Sequence, residues 1–140
     1  MELIKSQNLN TAEGWLFHGT RTNHLFNIVK DWFDISFSND GGSQGRGLYF
    51  TKEPTYPIPS YCYFDGTYYF VFLFRVHCGK SYNSRVGKFY KPPLFDAQKA
   101  IYYDSIHNAQ IVVVYENHKA YPYYLIKMIK TNWQLFNLCP

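Results

Sequence analysis

Two short stretches of the sequence place a His or a Tyr next to glycines, and a third, rich in apolar and aromatic residues, follows them. They read LFHGTR at residues 16–21, GRGLYF at residues 45–50 and IVVVYENHKAYPYYLI at residues 111–126. In the first two, His18 and Tyr49 fall at predicted strand ends beside glycines, where a backbone can approach a ligand closely. Each stretch alone is a weak signal, because a single His is more often structural and a single Tyr more often belongs to a core. Their order and separation ahead of the third stretch make the combination specific, and it predicts a ligand site.

Together the three stretches resemble the catalytic domain of the poly(ADP-ribose) polymerases, the diphtheria-toxin-like ADP-ribosyltransferases. The resemblance runs from about residue 16 to residue 130. It also includes Ile28, Phe33 and Asp34 after HGT, and the YDS of residues 103–105. The chain is most similar to the subclass that adds single ADP-ribose units. The resemblance therefore implies an enzyme that uses NAD as co-substrate, cleaves it at the nicotinamide–ribose bond and transfers one ADP-ribose without chain elongation.

The family carries a His–Tyr–Glu trio on three strands, and the resemblance places His18, Tyr49 and Ile111 at these positions. It implies that His18 hydrogen-bonds the adenosine ribose of NAD and that Tyr49 stacks against nicotinamide. The backbone of Gly19 falls where the family holds the nicotinamide carboxamide. Counting back from the Tyr-Leu-Ile of residues 124–126 places Ile111 at the Glu position. Isoleucine can neither accept a hydrogen bond nor carry charge, so we expect single-unit transfer, driven by orientation and strain of NAD, or no transfer.

The resemblance assigns four further NAD-binding positions: Thr20, Arg46, Ser60 and Tyr63. The family's serine eight residues after the trio Tyr is replaced here by Pro57. Ser60 and Tyr63 reproduce the Ser-x-x-Tyr spacing if three residues are inserted, and Tyr56 and Tyr61 are rivals for the second stacking ring. Ordinary turn residues remain the alternative interpretation of Ser60 and Tyr63.

Other departures affect the glycine-rich loop and the first helix. Gln44 replaces the aromatic residue that usually precedes G-K/R-G, which predicts a lid that holds NAD less firmly. Arg46 could meet a phosphate of NAD, although a solvated loop charge is the simpler interpretation. Trp32 replaces a usual glycine after the first helix, which we interpret as a packing change only.

The sequence predicts a small set of strands and one helix that position these residues. The sequence predicts a short strand at residues 15–18, a mobile loop at residues 39–47 and further strands at residues 48–51, 68–78, 111–115 and 121–130. A helix is predicted from Thr22 or Asn23 to about Asp31. Its predicted apolar stripe consists of Leu25, Ile28, Val29 and Trp32. Scarce helix and many strands predict an α+β class with mostly antiparallel sheet. We expect one domain at residues 14–140 after a polar lead-in at residues 1–13, without a helical regulatory domain.

Composition excludes several classes of protein. A hydrophobic fraction of 46% with 17% charged residues excludes intrinsic disorder. The formal charge of +4 suits an anionic ligand but is too small to indicate nucleic-acid binding. The three cysteines are unpatterned and His24, His77, His107 and His118 show no ligand spacing, so we expect no metal. Because the sequence shows no signal-like or membrane-spanning stretch, we expect a protein of the cytoplasm or nucleus that contacts no membrane. We also expect a monomer.

Two other functions compete with transfer to a protein side chain. Within the same mechanism, the acceptor could be a nucleic-acid 5′-phosphate. A catalytically silent PARP-like module used for binding or as a scaffold is suggested by the substitutions at Ile111, Pro57 and Gln44, while His18, Gly19 and Tyr49 argue against it. A third interpretation, an aromatic sheet that stacks RNA bases, requires interleaved basic residues, and residues 68–74 carry none.

Overall fold

A computed structural model of the chain describes residues 13–31, 42–55, 57, 61–84, 91–129 and 132–138. The predictions for residues 1–12, Trp32, Tyr56 and Ser60 therefore lie outside the described residues. Within these ranges, no helix has the length and apolar character needed to cross a membrane.

Eleven strands and one helix make up the regular structure of the described residues. The helix is α1 (Thr22–Asp31), and a 3-10 turn spans Asn117–Lys119. The strands are β1 (Glu13–His18), β2 (Leu48–Thr51), β3 (Tyr63–Phe64), β4 (Tyr69–His77), β5 (Ser81–Asn83), β6 (Leu94–Asp96), β7 (Ile101–Tyr102), β8 (Ser105–His107), β9 (Ile111–Val114), β10 (Ala120–Ile129) and β11 (Asn132–Asn137). One sheet runs in the order β11-β10-β4-β1-β2-β9-β8-β5, with β3 paired to β4, while β6 and β7 form a separate hairpin.

The five strands predicted from apolar runs are confirmed as β1, β2, β4, β9 and β10, each within two residues of the predicted bounds. Strand β1 begins at Glu13, two residues before the predicted start of this strand at residue 15. The antiparallel prediction holds for each pairing among the described strands except β5 with β8, which is parallel. The sheet-rich α+β class is confirmed, and it places β1, β2 and β9 side by side in the middle of the main sheet.

Side chains of β4 alternate between two apolar layers, one on each face of the sheet. Phe72 and Phe74 are fully buried in the layer that also contains Leu25 and Ile28 of α1. Val71 and Leu73 belong to the layer on the opposite face.

Only part of the predicted apolar stripe of α1 is buried. Leu25 and Ile28 are 4% and 6% exposed, which confirms the docking face. Val29 is 48% exposed, so its assignment to that stripe was wrong. One residue further along a helix lies about 100° around its axis. The helix contacts the sheet along a narrow line, and this rotation from Ile28 brings Val29 into solvent.

Candidate active site

His18 ends β1, and its imidazole is tied to the neighbouring strand. The Nδ1 atom lies 2.7 Å from the carbonyl oxygen of Tyr49. Because a carbonyl oxygen only accepts, Nδ1 donates, and in the neutral ring Nε2 is then the acceptor nitrogen. The ring also contacts Phe50 and Phe74, with centroid distances of 5.7 and 5.9 Å. The aromatic contacts therefore fix the position of the His18 ring, and the hydrogen bond to the Tyr49 carbonyl fixes its tautomer.

The three residues predicted as the trio, His18, Tyr49 and Ile111, fall on three consecutive strands of the sheet. Phe17 pairs with Thr51, and Thr51 pairs in turn with Ile111. Because side chains alternate along a strand, Tyr49, Thr51 and Ile111 share one face while the His18 side chain lies on the other. The structure thus brings Tyr49 and Ile111 together directly, and it joins His18 to them through the backbone of Tyr49.

Ile111 lies in an apolar environment. It is 8% exposed and packs in one cluster with Ile106, Val113 and Tyr115, with Tyr49 against the cluster. Asn108 fixes the start of β9, because its Oδ1 accepts hydrogen bonds from the backbone N–H groups of Gln110 and Ile111 at 2.9 Å each.

Thr51 pairs with Ile111 across the sheet, and its hydroxyl is already engaged in a hydrogen bond. The Thr51 hydroxyl donates to the Glu53 carbonyl at 2.8 Å. Ile111, which the sequence analysis predicts at the glutamate position of the family, offers no charge to a reacting sugar.

The backbone of Gly19 is enclosed by the turn that follows β2. The Tyr61 N–H donates to the Pro57 carbonyl at 2.7 Å. A Cβ atom at Gly19 would lie 2.6 Å from Pro57 Cβ and would overlap the Tyr61 carbonyl oxygen. Pro57 is thus a packing residue against Gly19, and no larger residue than glycine fits at the end of β1.

The structure separates the candidates for the second aromatic ring. Tyr63 lies in β3, pairs with Phe70 and packs against the core layer of α1, with a ring distance of 5.7 Å to Phe70. Tyr61 has its backbone carbonyl against Gly19 and is 62% exposed as a residue. Of the two, Tyr61 therefore lies next to the carboxamide position predicted from the sequence. Ser60 and Tyr56 lie outside the described residues.

Residues 42–47, called the glycine segment below, lie against the Tyr49 side chain. The Tyr49 hydroxyl donates to the Gly45 carbonyl at 2.6 Å and accepts from the Gln44 backbone N–H at 2.9 Å. Gln44 is 1% exposed. Arg46 points outward as an exposed residue, and Thr20 is half-buried after Gly19. The described part of the predicted mobile loop is therefore fastened to the side chain that is expected to face nicotinamide.

Comparisons with known proteins agree with this geometry. Residues 2–86 match the family model described as the poly(ADP-ribose) polymerase catalytic domain, a span that contains His18, Gly19 and Tyr49 but not Ile111. The chain belongs to this family.

The curated relatives are proteins named as mono-ADP-ribosyltransferases. This PARP catalytic domain is 35% identical over 120 residues to protein mono-ADP-ribosyltransferase PARP12 of Mus musculus. It is 32% identical over 120 residues to the protein of the same name from Homo sapiens. Each alignment covers 82% of this chain but 17% of the relative, so the chain spans about a sixth of the length of these proteins.

Burial disfavours ionisation of two tyrosines and two cysteines in this PARP domain. Burial raises the pKa of the Tyr49 phenol, and it raises that of Tyr115 further. Burial also raises the pKa of the Cys62 and Cys78 thiols to about 11. Because the thiolate is the reactive form, neither of these cysteines is poised as a nucleophile at neutral pH. Among the described ranges, no three His, Cys, Asp or Glu residues are grouped so that they could hold a metal ion.

Sequence reasoning missed one pair of residues that shape the site. Tyr115 donates its hydroxyl hydrogen bond to the Gln44 carbonyl at 2.8 Å across 71 positions of sequence. The Tyr at the end of IVVVY was interpreted only as a strand residue, and Gln44 only as a departure from the family pattern. Burial of both side chains was the missing information, and no local pattern encodes a contact of such sequence separation.

Proposed function

We propose that this domain is an NAD-dependent mono-ADP-ribosyltransferase that modifies protein side chains. The observation that carries the proposal is the junction of His18, Gly19 and Tyr49 at the ends of two paired strands. Family membership and the names of the curated relatives support the same activity. The aligned region covers 17% of each relative, so the activity of this chain is our proposal.

In this proposal nicotinamide lies against the Gly19 backbone. A carboxamide needs one donor and one acceptor, and in this proposal the Gly19 N–H and carbonyl supply them. The Tyr49 ring forms one wall, and we propose the exposed Tyr61 ring as the other, in preference to Tyr63. His18 then faces the adenosine ribose, while Thr20, Arg46 and Ser60 remain predicted NAD contacts.

The chemistry follows from what the trio offers. The C1′–N bond to nicotinamide breaks, nicotinamide leaves as a neutral molecule with the bonding electrons, and an acceptor oxygen forms a new bond to C1′. Positive charge develops on the ribose in this transition state, and Ile111 cannot stabilise it. A carboxylate on the acceptor can supply both the nucleophile and the negative charge, so we propose Asp or Glu side chains as the acceptor class. Without a carboxylate at residue 111 to polarise a ribose hydroxyl, chain elongation is not expected.

A nicotinamide-release assay tests this function. The purified domain is incubated with NAD and an acidic protein acceptor, and nicotinamide is quantified for the unmodified chain, for His18→Ala and for His118→Ala. His118 is the matched control, because it lies in the 3-10 turn with a side chain that is 77% exposed. Acceptor-dependent release that is lost only in His18→Ala would support transfer. Equal release in all three proteins would contradict the role of His18.

A silent binding module is the second candidate, and the apolar environment of Ile111 favours it. It predicts that nicotinamide raises the melting temperature of the domain but that no acceptor gains ADP-ribose. A nucleic-acid acceptor predicts instead that a 5′-phosphorylated oligonucleotide, and not a protein, receives the label. We propose a monomer acting in the cytoplasm or nucleus, which sedimentation and cell imaging would test.

A further inference from the structure

Tyr115 contacts the glycine segment from the strand that follows Ile111. The ring is 7% exposed and belongs to the apolar cluster of Ile106, Ile111 and Val113. Its hydroxyl donates to the Gln44 carbonyl at 2.8 Å. Tyr115 therefore holds the glycine segment against the face of the sheet that carries Tyr49 and Ile111.

The hydrogen bonds form a continuous chain from Tyr115 to Tyr49. Tyr115 holds the Gln44 carbonyl, the Gln44 N–H donates to the Tyr49 hydroxyl, and that hydroxyl donates to the Gly45 carbonyl. The Gln44 side-chain amide also donates to the Ser84 carbonyl at 3.1 Å. The segment is held through its backbone by the two tyrosines and through the Gln44 side chain by the Ser84 carbonyl.

Two glycines let the segment lie this close to the strands. A Cβ at Gly47 would lie 2.5 Å from Val113 Cγ1 and 3.1 Å from Tyr115 Cε1. A Cβ at Gly42 would overlap the Tyr49 hydroxyl. The glycines therefore act as close-approach positions. Because no Cβ separates the segment from the two tyrosines, its distance from them is set by the hydrogen bonds that hold it.

We infer that Tyr115 is a positioning residue for NAD, which acts by holding the glycine segment against Tyr49. The inference rests on the proposed function. In this role Tyr115 touches neither substrate nor the reacting atoms. The His18–Tyr49 backbone contact does not depend on it, so its hydroxyl affects the affinity for NAD rather than the rate of the chemical step.

Tyr115→Phe tests the inference, because it removes the hydroxyl and keeps the ring that packs beside Ile111. We expect the KM for NAD to rise about three- to tenfold, the size of one lost hydrogen bond, with kcat unchanged within about twofold. Tyr82→Phe is the matched control, since Tyr82 is an exposed tyrosine of β5 outside the site. If Tyr115 had only a structural role, Tyr115→Phe would lower the melting temperature without raising KM selectively over kcat. That result would overturn the inference.

Trypsin cleavage after Arg46 provides a readout without NAD. Arg46 is exposed within the glycine segment, so the rate of this cut reports how often the segment lifts away. We expect faster cleavage in Tyr115→Phe than in Tyr82→Phe or the unmodified chain, quantified by peptide mass spectrometry. Equal cleavage rates would overturn the inference. Absence of NAD turnover in the unmodified chain would instead refute the proposed function, while the cleavage rates would still decide whether Tyr115 holds the segment.

Discussion

Replacing Gly19 with alanine is expected to destroy the nicotinamide site at a moderate cost in stability. The new methyl group would lie 2.6 Å from Pro57 Cβ and 3.0 Å from the Tyr61 carbonyl carbon. Carbon atoms prefer about 3.5–4.0 Å, so the turn must move away by about 1 Å. Overpacking of this kind costs about 1–3 kcal/mol. For a chain of this size, that lowers the melting temperature by roughly 3 °C per kcal/mol.

Gly66→Ala provides a control with a comparable loss of stability. Gly66 lies in the exposed turn between β3 and β4 with φ of +100°, and its missing Cβ would meet no atom within 4 Å. Backbone strain at a positive φ costs about 1–2 kcal/mol for alanine. Both variants should therefore melt at lower temperature, but only the Gly19 variant has its substitution at the site.

The assay is nicotinamide release at several NAD concentrations, with melting measured by circular dichroism. A displacement of about 1 Å in a positioning group can cost about 100-fold in rate, so we expect kcat/KM of Gly19→Ala to fall by that factor. Gly66→Ala should keep the kcat/KM of the unmodified chain at a temperature where it is folded. Retention of activity by Gly19→Ala within threefold of Gly66→Ala would refute the placement of the carboxamide at Gly19.

Three further predictions concern the trio and the buried thiols. His18→Ala removes the 2.7 Å contact with the Tyr49 carbonyl and should lower transfer about 100-fold in a labelled-NAD assay, whereas an unchanged rate would contradict its role. Ile111→Glu places a carboxyl group at a position that is 8% exposed, so the free energy of unfolding measured with urea should fall by about 1–3 kcal/mol. Because burial raises the pKa of the Cys62 and Cys78 thiols to about 11, their thiolates are scarce at neutral pH; mass spectrometry should find slow alkylation by iodoacetamide until the chain unfolds or the pH approaches that value.

The strands that frame the site could be predicted because each is a continuous apolar or aromatic run. Residues 69–77 and 111–114 are recognisable without any tertiary information, since buried strands need apolar side chains on both faces. The short strands β3, β6 and β7 could not be found this way, because two or three residues show no alternation. Their pairing is decided by neighbours that are distant in sequence.

The site was predictable where it depends on sequence motifs and unpredictable where it depends on packing. The HGT and GRG motifs led to His18 and Tyr49, which the structure joins by a hydrogen bond. The contact of Pro57 with Gly19 and that of Tyr115 with Gln44 were missed, because each links segments that are far apart in sequence. The family resemblance and the Ser-x-x-Tyr spacing favoured Tyr63 as the second ring, which stays a prediction, and the packing of the Tyr61 backbone against Gly19 was not foreseen.

The measurement that tests the central claim most directly is the intact mass of an acidic acceptor protein after incubation with this domain and NAD. The account predicts discrete species, each heavier by one ADP-ribosyl unit per modified side chain, and their loss with His18→Ala. Tandem fragmentation of the modified peptides distinguishes several single additions from one chain. Chains of linked ADP-ribose on one side chain, or an acceptor mass that stays unchanged while nicotinamide still stabilises the domain, would contradict mono-ADP-ribosyl transfer.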